Sequence, residues 1–153
     1  MTFLQRIDEN WDGSHKDTIW LLGSFFNEDL GEEIVFDYVK ASALIDSCAE
    51  KDSDFFLMLL RDEEKILGML GGAITTPPFS NTKFAIEIIW YVRPQYRGNI
   101  KAVKLVKEFE TWAKEKGAKY IAMVSQMNSD VDPGPLYERL GYKLSEKTYA
   151  KRL

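Results

Sequence analysis

Residues 90–102 include the groups best suited to binding a phosphate. An apolar run ends at Pro94, a polar and basic turn containing Gly98 follows, and an amphipathic helical pattern begins directly after it. A strand that enters a helix through such a turn presents free backbone N–H groups at the positive end of the helix. The N–H groups of residues 95–101 are therefore predicted to bind an anion, above all a phosphate. The side chains of Arg97 and Lys101 have two interpretations, contact with that phosphate or exposure to solvent.

Glu87 is the residue best placed to take a proton from a substrate. It is the only acid in the otherwise apolar segment 84–92. A carboxylate in such surroundings has a raised pKa and can accept a proton, directly or through water. The alternative is a carboxylate on a wetter face of a sheet, or one paired with a lysine.

Nucleophilic and metal chemistry have little support in this sequence. His15 is the only histidine and falls at a predicted helix start, where a surface or capping role is expected. Cys48 lies in an apolar helical stripe, as a buried thiol would. No group of histidines, cysteines and acids has the spacing of a metal site, so no metal is expected.

Hydrophobic periodicity predicts the elements that hold these residues. Strands are expected at 3–7, 55–60, 66–75, 84–92, 120–125, 142–146 and 148–153. Helices are expected after a cap at Ser14, ending before Gly31, and at 32–50, 98–116 and 133–140. Over 84–92, strict alternation places Ala85, Glu87, Ile89 and Tyr91 on one face. The predicted fold is α/β (α+β), one domain over 1–153, with a mixed, mostly antiparallel sheet of six or seven strands and about four helices on both faces.

Composition and charge limit the classes of protein that fit. The 153 residues carry a net charge of -4, which gives no general basic surface for nucleic acid. A single cysteine excludes an intrachain disulfide and fits a reducing compartment. The first residues lack the apolar core of a signal peptide, and no apolar run approaches the roughly 20 residues of a membrane span. A cytoplasmic protein without a membrane segment is therefore expected.

Two motifs, at residues 95–100 and then at residues 136–142, resemble those of the GCN5-related N-acetyltransferase (GNAT) superfamily of acyl-CoA N-acyltransferases. Residues 95–100 fill the first and fourth positions of its motif Gln/Arg-x-x-Gly-x-Gly/Ala, while Ile100 replaces the small residue at the sixth. Residues 136–142 match its second signature, Leu-Tyr-Glu-x-Leu-Gly-Tyr/Phe. The resemblance covers most of the chain and is strongest over 84–142. The segment from Val92 to Gly98 is similar to bacteriophage-encoded members.

The resemblance implies direct transfer of an acetyl group from acetyl-CoA, the co-substrate, to a primary amine, without a metal. It makes Glu87 the base and Tyr137 the acid, with the Tyr137 hydroxyl near the CoA sulfur. The backbone of residues 91–93 would pair with pantetheine, and an N–H near Trp90 would stabilise the oxyanion. The implied donor-binding residues are Trp90, Tyr91, Val92, Arg93, Gln95, Tyr96, Arg97, Gly98, Asn99, Ile100, Lys101 and Asn128.

The sequence leaves the acceptor and two other functions open. A protein lysine or N-terminus and a small-molecule amine fit equally well. A non-catalytic module that binds acyl-CoA or another protein is the alternative, and Ile100 favours it. Modification of a nucleic acid is a weaker alternative because of the acidic balance. A homodimer through the last two strands is a further expectation.

Overall fold

The computed structural model describes residues 1–11, 13, 15–25, 27, 34–126 and 131–153. In this part of the chain, neighbouring strands of one five-stranded sheet are antiparallel, except that the last two are parallel. The strands, in sheet order, are β1 (Phe3–Arg6), β2 (Phe55–Arg61), β3 (Ile66–Thr75), β4 (Phe84–Val92) and β5 (Tyr120–Ala122). The helices are α1 (His15–Phe25), α2 (Tyr38–Ala49), α3 (Ile100–Glu115) and α4 (Gly134–Arg139). None of these helices is long and apolar enough to cross a membrane.

The predicted α+β class is confirmed, but the described sheet has five strands rather than six or seven. The strands expected at 142–146 and 148–153 do not form, and residues 143–153 are exposed throughout. Charged residues alternate with few apolar ones in this segment, so neither face of a strand has much apolar surface to bury. Leu144 and Tyr149 are accordingly 78% and 91% exposed. Strand β5 also ends at Ala122, three residues before the expected Ser125.

The sheet separates two hydrophobic cores, as helices on both faces predict. Helices α1 and α2 cover one face, where Leu21 and Ile45 are fully buried. The apolar stripe of α3 covers the other face, where Leu105 and Phe109 are fully buried. Helix α3 can approach closely because Gly72 in β3 has no side chain. A Cβ atom there would lie 2.4 Å from the Phe109 ring, so only glycine allows α3 to pack this close to β3.

Helix α2 begins later than the sequence pattern predicts. A start near Glu32 was expected, but the helix starts at Tyr38. Asp37 caps it by accepting a hydrogen bond from the N–H of Lys40 at 3.0 Å. A capping carboxylate satisfies a free N–H group and fixes the start more strongly than apolar periodicity does. The predicted cap at Ser14 and the break at Gly31 lie outside the described residues.

Strand β4 contains a bulge that changes which residues share a face. Ile88 is an extra residue, because two successive glycines of β3 pair with the residues on either side of it. Ala85 consequently packs in the α3 core, whereas Ile89 packs in the core under α1 and α2. The predicted alternation is therefore wrong beyond Glu87, since one inserted residue reverses the face of every residue after it.

Candidate active site

A cleft opens where β4 and β5 stop pairing. The two strands are in register only from Phe84 with Tyr120 to Ile86 with Ala122. The bulge at Ile88 follows at once, and a bulge bends its strand. A cavity of about 50 Å³ lies in the opening, with room for more than one water molecule. Its lining residues are Phe25, Glu87, Ile88, Trp90, Val124, Gln126, Val131 and Pro133.

Glu87 is buried at the start of this cleft, with only 8% of its surface exposed. Its Oε2 atom accepts a hydrogen bond from the N–H of Val124 at 3.1 Å. Burial raises the pKa of Glu87 to about 7, although the Val124 N–H acts in the opposite direction. Within the described ranges no lysine or arginine forms an ion pair with it. A carboxyl group with this pKa can accept a proton near neutral pH.

Tyr137 reaches the same residue from helix α4. Its hydroxyl donates a hydrogen bond to the carbonyl of Val124 at 3.0 Å, and its ring centroid lies 5.8 Å from that of Trp90. Burial raises the pKa of Tyr137 above its usual range, and the neighbouring charge of Glu87 adds to this effect. The hydroxyl therefore keeps its proton at neutral pH and remains a hydrogen-bond donor. One residue, Val124, thus holds the predicted base and the predicted acid through its two peptide groups.

The predicted phosphate turn forms between β4 and α3. After a short 3-10 turn at Pro94–Tyr96, Gly98 adopts a left-handed φ of +82°. Asn99 then caps α3 by accepting a hydrogen bond from the N–H of Lys101 at 2.8 Å. Among the described residues, none accepts a hydrogen bond from the N–H groups of Gly98, Asn99 or Ile100. Ile100 is 73% exposed, so its side chain points to solvent rather than into the turn.

Three basic side chains beside the turn bind main-chain carbonyls. Arg93 Nε donates to a carbonyl of β3, and Arg97 Nε donates to that of Val92, each at 2.8 Å. Lys101 Nζ donates to the carbonyl of Thr2, just before β1. Arg97 and Lys101 are both partly buried. Of the two interpretations of Arg97 and Lys101, full exposure to solvent therefore does not fit the structure.

The backbone of β4 alternates between its neighbour β3 and the cleft. The N–H of Arg93 donates to a β3 carbonyl at 2.8 Å, so the peptide groups of Val92 and Trp90 face the opposite side. On that side, no described strand pairs with β4 beyond Ile86. Pairing of the backbone of residues 91–93 with pantetheine stays a prediction. In that pairing the peptide groups of Val92 would face the ligand, whereas those of Tyr91 and Arg93 face β3. The Tyr91 side chain is also buried in the core under α1 and α2.

The other residues predicted to bind the donor lie apart from the cleft, or outside the described part of the chain. Gln95 is exposed in the 3-10 turn, and Tyr96 packs against the α3 core with Lys65 Nζ 5.3 Å from its ring centroid. Asn128 lies outside the described residues. Sequence reasoning did not predict this contact of Lys65, which follows a hairpin turn. It also missed Val124, which acts through its main chain and therefore leaves no mark in the pattern of side chains.

Comparisons with solved structures agree on the fold. A transcriptional regulator from Bacillus halodurans C-125 superposes with a TM-score of 0.75 at 20% identity, covering 100% of each chain. Glucosamine-6-phosphate N-acetyltransferase from Arabidopsis thaliana gives 0.71 at 15%, covering 99% of this chain and 98% of its own. AAC(6')-Iy in complex with the bisubstrate analog CoA-S-monomethyl-acetylneamine gives 0.73 at 12%, covering 100% and 99%. At these identities the likeness shows the fold alone.

A family model is more specific than these structures. No curated protein sequence gives a significant match to the chain. The model of the acetyltransferase (GNAT) family, however, matches residues 17–142. This range contains the phosphate turn, the cleft between β4 and β5, and both motifs recognised in the sequence. The chain therefore belongs to the GNAT family of acetyltransferases and is an N-acetyltransferase.

Proposed function

We propose that the protein transfers an acetyl group from acetyl-CoA directly to a primary amine. The observation that carries this proposal is the pair of hydrogen bonds on Val124, one to the Glu87 carboxyl and one from the Tyr137 hydroxyl. A carboxyl and a phenol are thereby held together where β4 and β5 part. They suit the two proton tasks of amide formation, which are removal from the ammonium and donation toward the leaving thiolate.

The main-chain groups of the cleft fit a CoA thioester. Acetyl-CoA supplies the activated acetyl group when it is bound. In this proposal the free N–H groups of Gly98, Asn99 and Ile100 bind the pyrophosphate. The outward peptide groups of Val92 pair with pantetheine as an added strand would. The N–H of Trp90, two residues earlier on the same side of β4, then faces the acyl oxygen and stabilises its negative charge.

Glu87 acts as the base, directly or through water. With a pKa of about 7 it is substantially ionised at neutral pH, so it can accept the proton of an amine whose nitrogen becomes more acidic as the new C–N bond forms. The cavity beside it has room for the water that a relayed transfer needs.

Tyr137 supports the leaving thiolate by hydrogen bonding. Its pKa is raised above the ordinary 10.0, whereas a thiol titrates near about 8.5. Full transfer of the Tyr137 proton to the thiolate is therefore uphill. A hydrogen bond to the growing charge on sulfur is nevertheless stronger than the present one to the neutral Val124 carbonyl. The hydroxyl accordingly turns from Val124 to the sulfur as the reaction proceeds.

Calorimetric titration with acetyl-CoA, with CoA and ATP alongside, tests this function first. Micromolar binding of acetyl-CoA supports the donor site despite Ile100. A folded protein that binds none of the three contradicts it and favours the alternative, a non-catalytic module that interacts with another protein. Thiol release with a panel of amines then reports turnover, and comparison of the wild type with Glu87→Gln assigns it to the cleft.

The acceptor is proposed only as a class, a primary amine on a small molecule or on a protein. One structural neighbour acts on glucosamine-6-phosphate by its name, which supports including amino sugars in the panel. Aminoglycosides, polyamines, and peptides with a free N-terminus or lysine complete it. The values of kcat/KM for small-molecule amines and for peptides are then compared. The group with the higher value, by more than the error of measurement, is assigned as the acceptor class.

The other expectations from the sequence stay proposals. A homodimer through the C-terminal residues 142–153 is one of them, and light scattering on the whole chain and on a chain ending at Tyr142 tests it. The acidic net charge supports the absence of a nucleic-acid partner, and the single cysteine supports a cytoplasmic location. Bacteriophage origin also remains a prediction.

A further inference from the structure

Arg97 closes the side of β4 on which the proposed donor lies. Its Nε atom donates to the Val92 carbonyl at 2.8 Å, and its guanidinium carbon lies 5.7 Å from the centroid of the Tyr91 ring. Val92 is the last residue of β4, and its peptide groups face away from β3. The Arg97 side chain therefore folds back from the phosphate turn onto the free edge of the strand.

An extended ligand that pairs with Val92 needs the same space. A strand-like partner lies about 4.8 Å from its neighbour and bonds to its outward N–H and C=O groups. Pantetheine, with its two amides, would lie in this way, and this step rests on the proposed function. The guanidinium and pantetheine therefore compete for the edge of β4 at Val92.

A phosphate bound at the turn offers Arg97 a better partner than this carbonyl. Arg97 directly precedes Gly98, the first of the three residues whose N–H groups are free to bind an anion. Bidentate guanidinium–phosphate pairs are charge-assisted and roughly twice as strong as hydrogen bonds between neutral groups. A donor that carries phosphates compensates the loss of the Val92 contact, whereas a phosphate-free donor does not.

We propose that Arg97 is a specificity-determining residue, which opens the pantetheine slot on β4 for donors that carry phosphate groups. It thereby selects CoA thioesters against thioesters of pantetheine that lack phosphate. The selection depends on the Arg97 side chain exchanging its hydrogen bond to the carbonyl of Val92 for one to the phosphate of the donor.

Binding of acetyl-CoA and of pantetheine to the wild type and to Arg97→Met tests this proposal. Methionine keeps an aliphatic stem over Tyr91 but cannot donate to Val92. Arg97→Met is expected to bind acetyl-CoA about 10-fold more weakly and pantetheine about 10-fold more tightly. Arg97→Gln, whose amide can still reach Val92, is expected to lose affinity for acetyl-CoA without gaining affinity for pantetheine. Thermal unfolding verifies that each variant is folded.

Lys104→Met is the matched charge control. Lys104 is exposed on α3, near the turn, and the structure gives it no contact with Val92. It is expected to leave pantetheine binding unchanged. Equal affinity of wild type and Arg97→Met for pantetheine, including no detectable binding by either, overturns the proposal, as does weaker binding of both ligands by the variant. Failure of the wild type to bind acetyl-CoA would instead refute the proposed function, so the two failures are distinguishable.

Discussion

The two halves of the proposed active site, one for the acyl donor and one for proton transfer, use different parts of the chain. The donor half uses main-chain groups, because the turn at residues 98–100 offers three N–H groups without a described acceptor and the free edge of β4 offers further peptide groups. The acid–base half uses two buried side chains, Glu87 and Tyr137, both bonded to Val124. One half therefore depends on backbone conformation, and the other depends on residue identity.

This difference predicts opposite tolerance to substitution. Every residue except proline has a backbone N–H, so the turn accepts a new side chain wherever its conformation is kept. Ile100, in place of a small residue, is an example, because its side chain points to solvent. A buried carboxyl or phenol has no such freedom. Only substitutions that change the conformation or remove an N–H group of the turn are therefore expected to raise the Kd of the donor, whereas substitutions of Glu87 or Tyr137 are expected to lower kcat.

Glu87→Gln is expected to cause the largest loss. The amide cannot accept a proton at neutral pH, so kcat/KM should fall by about 10²–10⁴-fold. In the wild type, kcat/KM should rise with pH through about 7 as Glu87 ionises, and the variant should lose this rise. Glu110→Gln makes the same change at a carboxyl that accepts from Tyr142 outside the cleft, and serves as the control. Equal activity of the two variants would remove Glu87 from the mechanism.

Tyr137→Phe should lower kcat by about 10²-fold or less, at or below the lower end of the range for a general acid, because the hydroxyl donates a hydrogen bond without full proton transfer. Phenylalanine keeps the ring against Trp90 and loses only the hydroxyl, so the Kd of acetyl-CoA should change little. Tyr142→Phe removes a hydroxyl bonded to Glu110 at 2.7 Å and is the matched control. Single-turnover kinetics isolate the chemical step. A chemical step that is slow in the wild type and unchanged in Tyr137→Phe would contradict the assignment.

The contrast between main chain and side chain also explains which parts of the fold could be predicted. Apolar periodicity correctly predicts helix α3 and the strands from Phe55 to Val92, because the residues that are buried in these elements recur at the spacing of a helix or a strand. The bulge at Ile88 could not be predicted, since an inserted apolar residue leaves the apolar character of the strand unchanged. The last two strands failed for the opposite reason, because alternation without enough apolar surface looks like a strand but has little to bury.

The same contrast separates the site residues that could be predicted from the sequence from those that could not. Pro94 and Gly98 marked the turn because they restrict or free the backbone, and Glu87 stood out as an acid in an apolar segment. Val124 could not be found, because any residue could supply its N–H and C=O. The fold-back of Arg97 onto Val92 was equally hidden, since it depends on where β4 ends in space.

Glu87→Gln is also expected to stabilise the protein above neutral pH. The pKa of Glu87 is about 7 in the folded protein against 4.5 ordinarily, so the folded state retains a proton that the unfolded state releases. The stability of the wild type therefore falls as pH rises from 4.5 to about 7, by up to about 3 kcal/mol, and the penalty is complete above that range. The variant lacks this slope. Urea unfolding across this window checks it, and parallel pH dependence in both proteins would contradict it.

Gly98→Ala tests the conformation of the turn. No atom lies within 4 Å of a Cβ built there, but its φ of +82° costs an L-residue about 1–2 kcal/mol. Relaxation of this strain misdirects the N–H groups, so the Kd of acetyl-CoA should rise roughly 10-fold with kcat unchanged. Gly117→Ala is matched for strain, with a φ of +81° and equal space at the other end of α3. It should lose similar stability and keep donor affinity, and equal Kd values for the two variants would contradict the prediction.

Ile100→Ala is expected to have the smallest effect and separates the two halves most directly. If the Ile100 side chain obstructs the turn, its removal should tighten the binding of acetyl-CoA, whereas a side chain that is 73% exposed should leave the Kd unchanged. Ile100→Pro is the contrasting variant, because proline is tolerated at the first position of a helix and lacks the N–H that Ile100→Ala keeps. It should weaken binding by about 10-fold, the effect of one hydrogen bond to a charged group. An unchanged Kd in Ile100→Ala with a raised Kd in Ile100→Pro would assign binding at this position to the backbone, and the reverse result would assign it to the side chain.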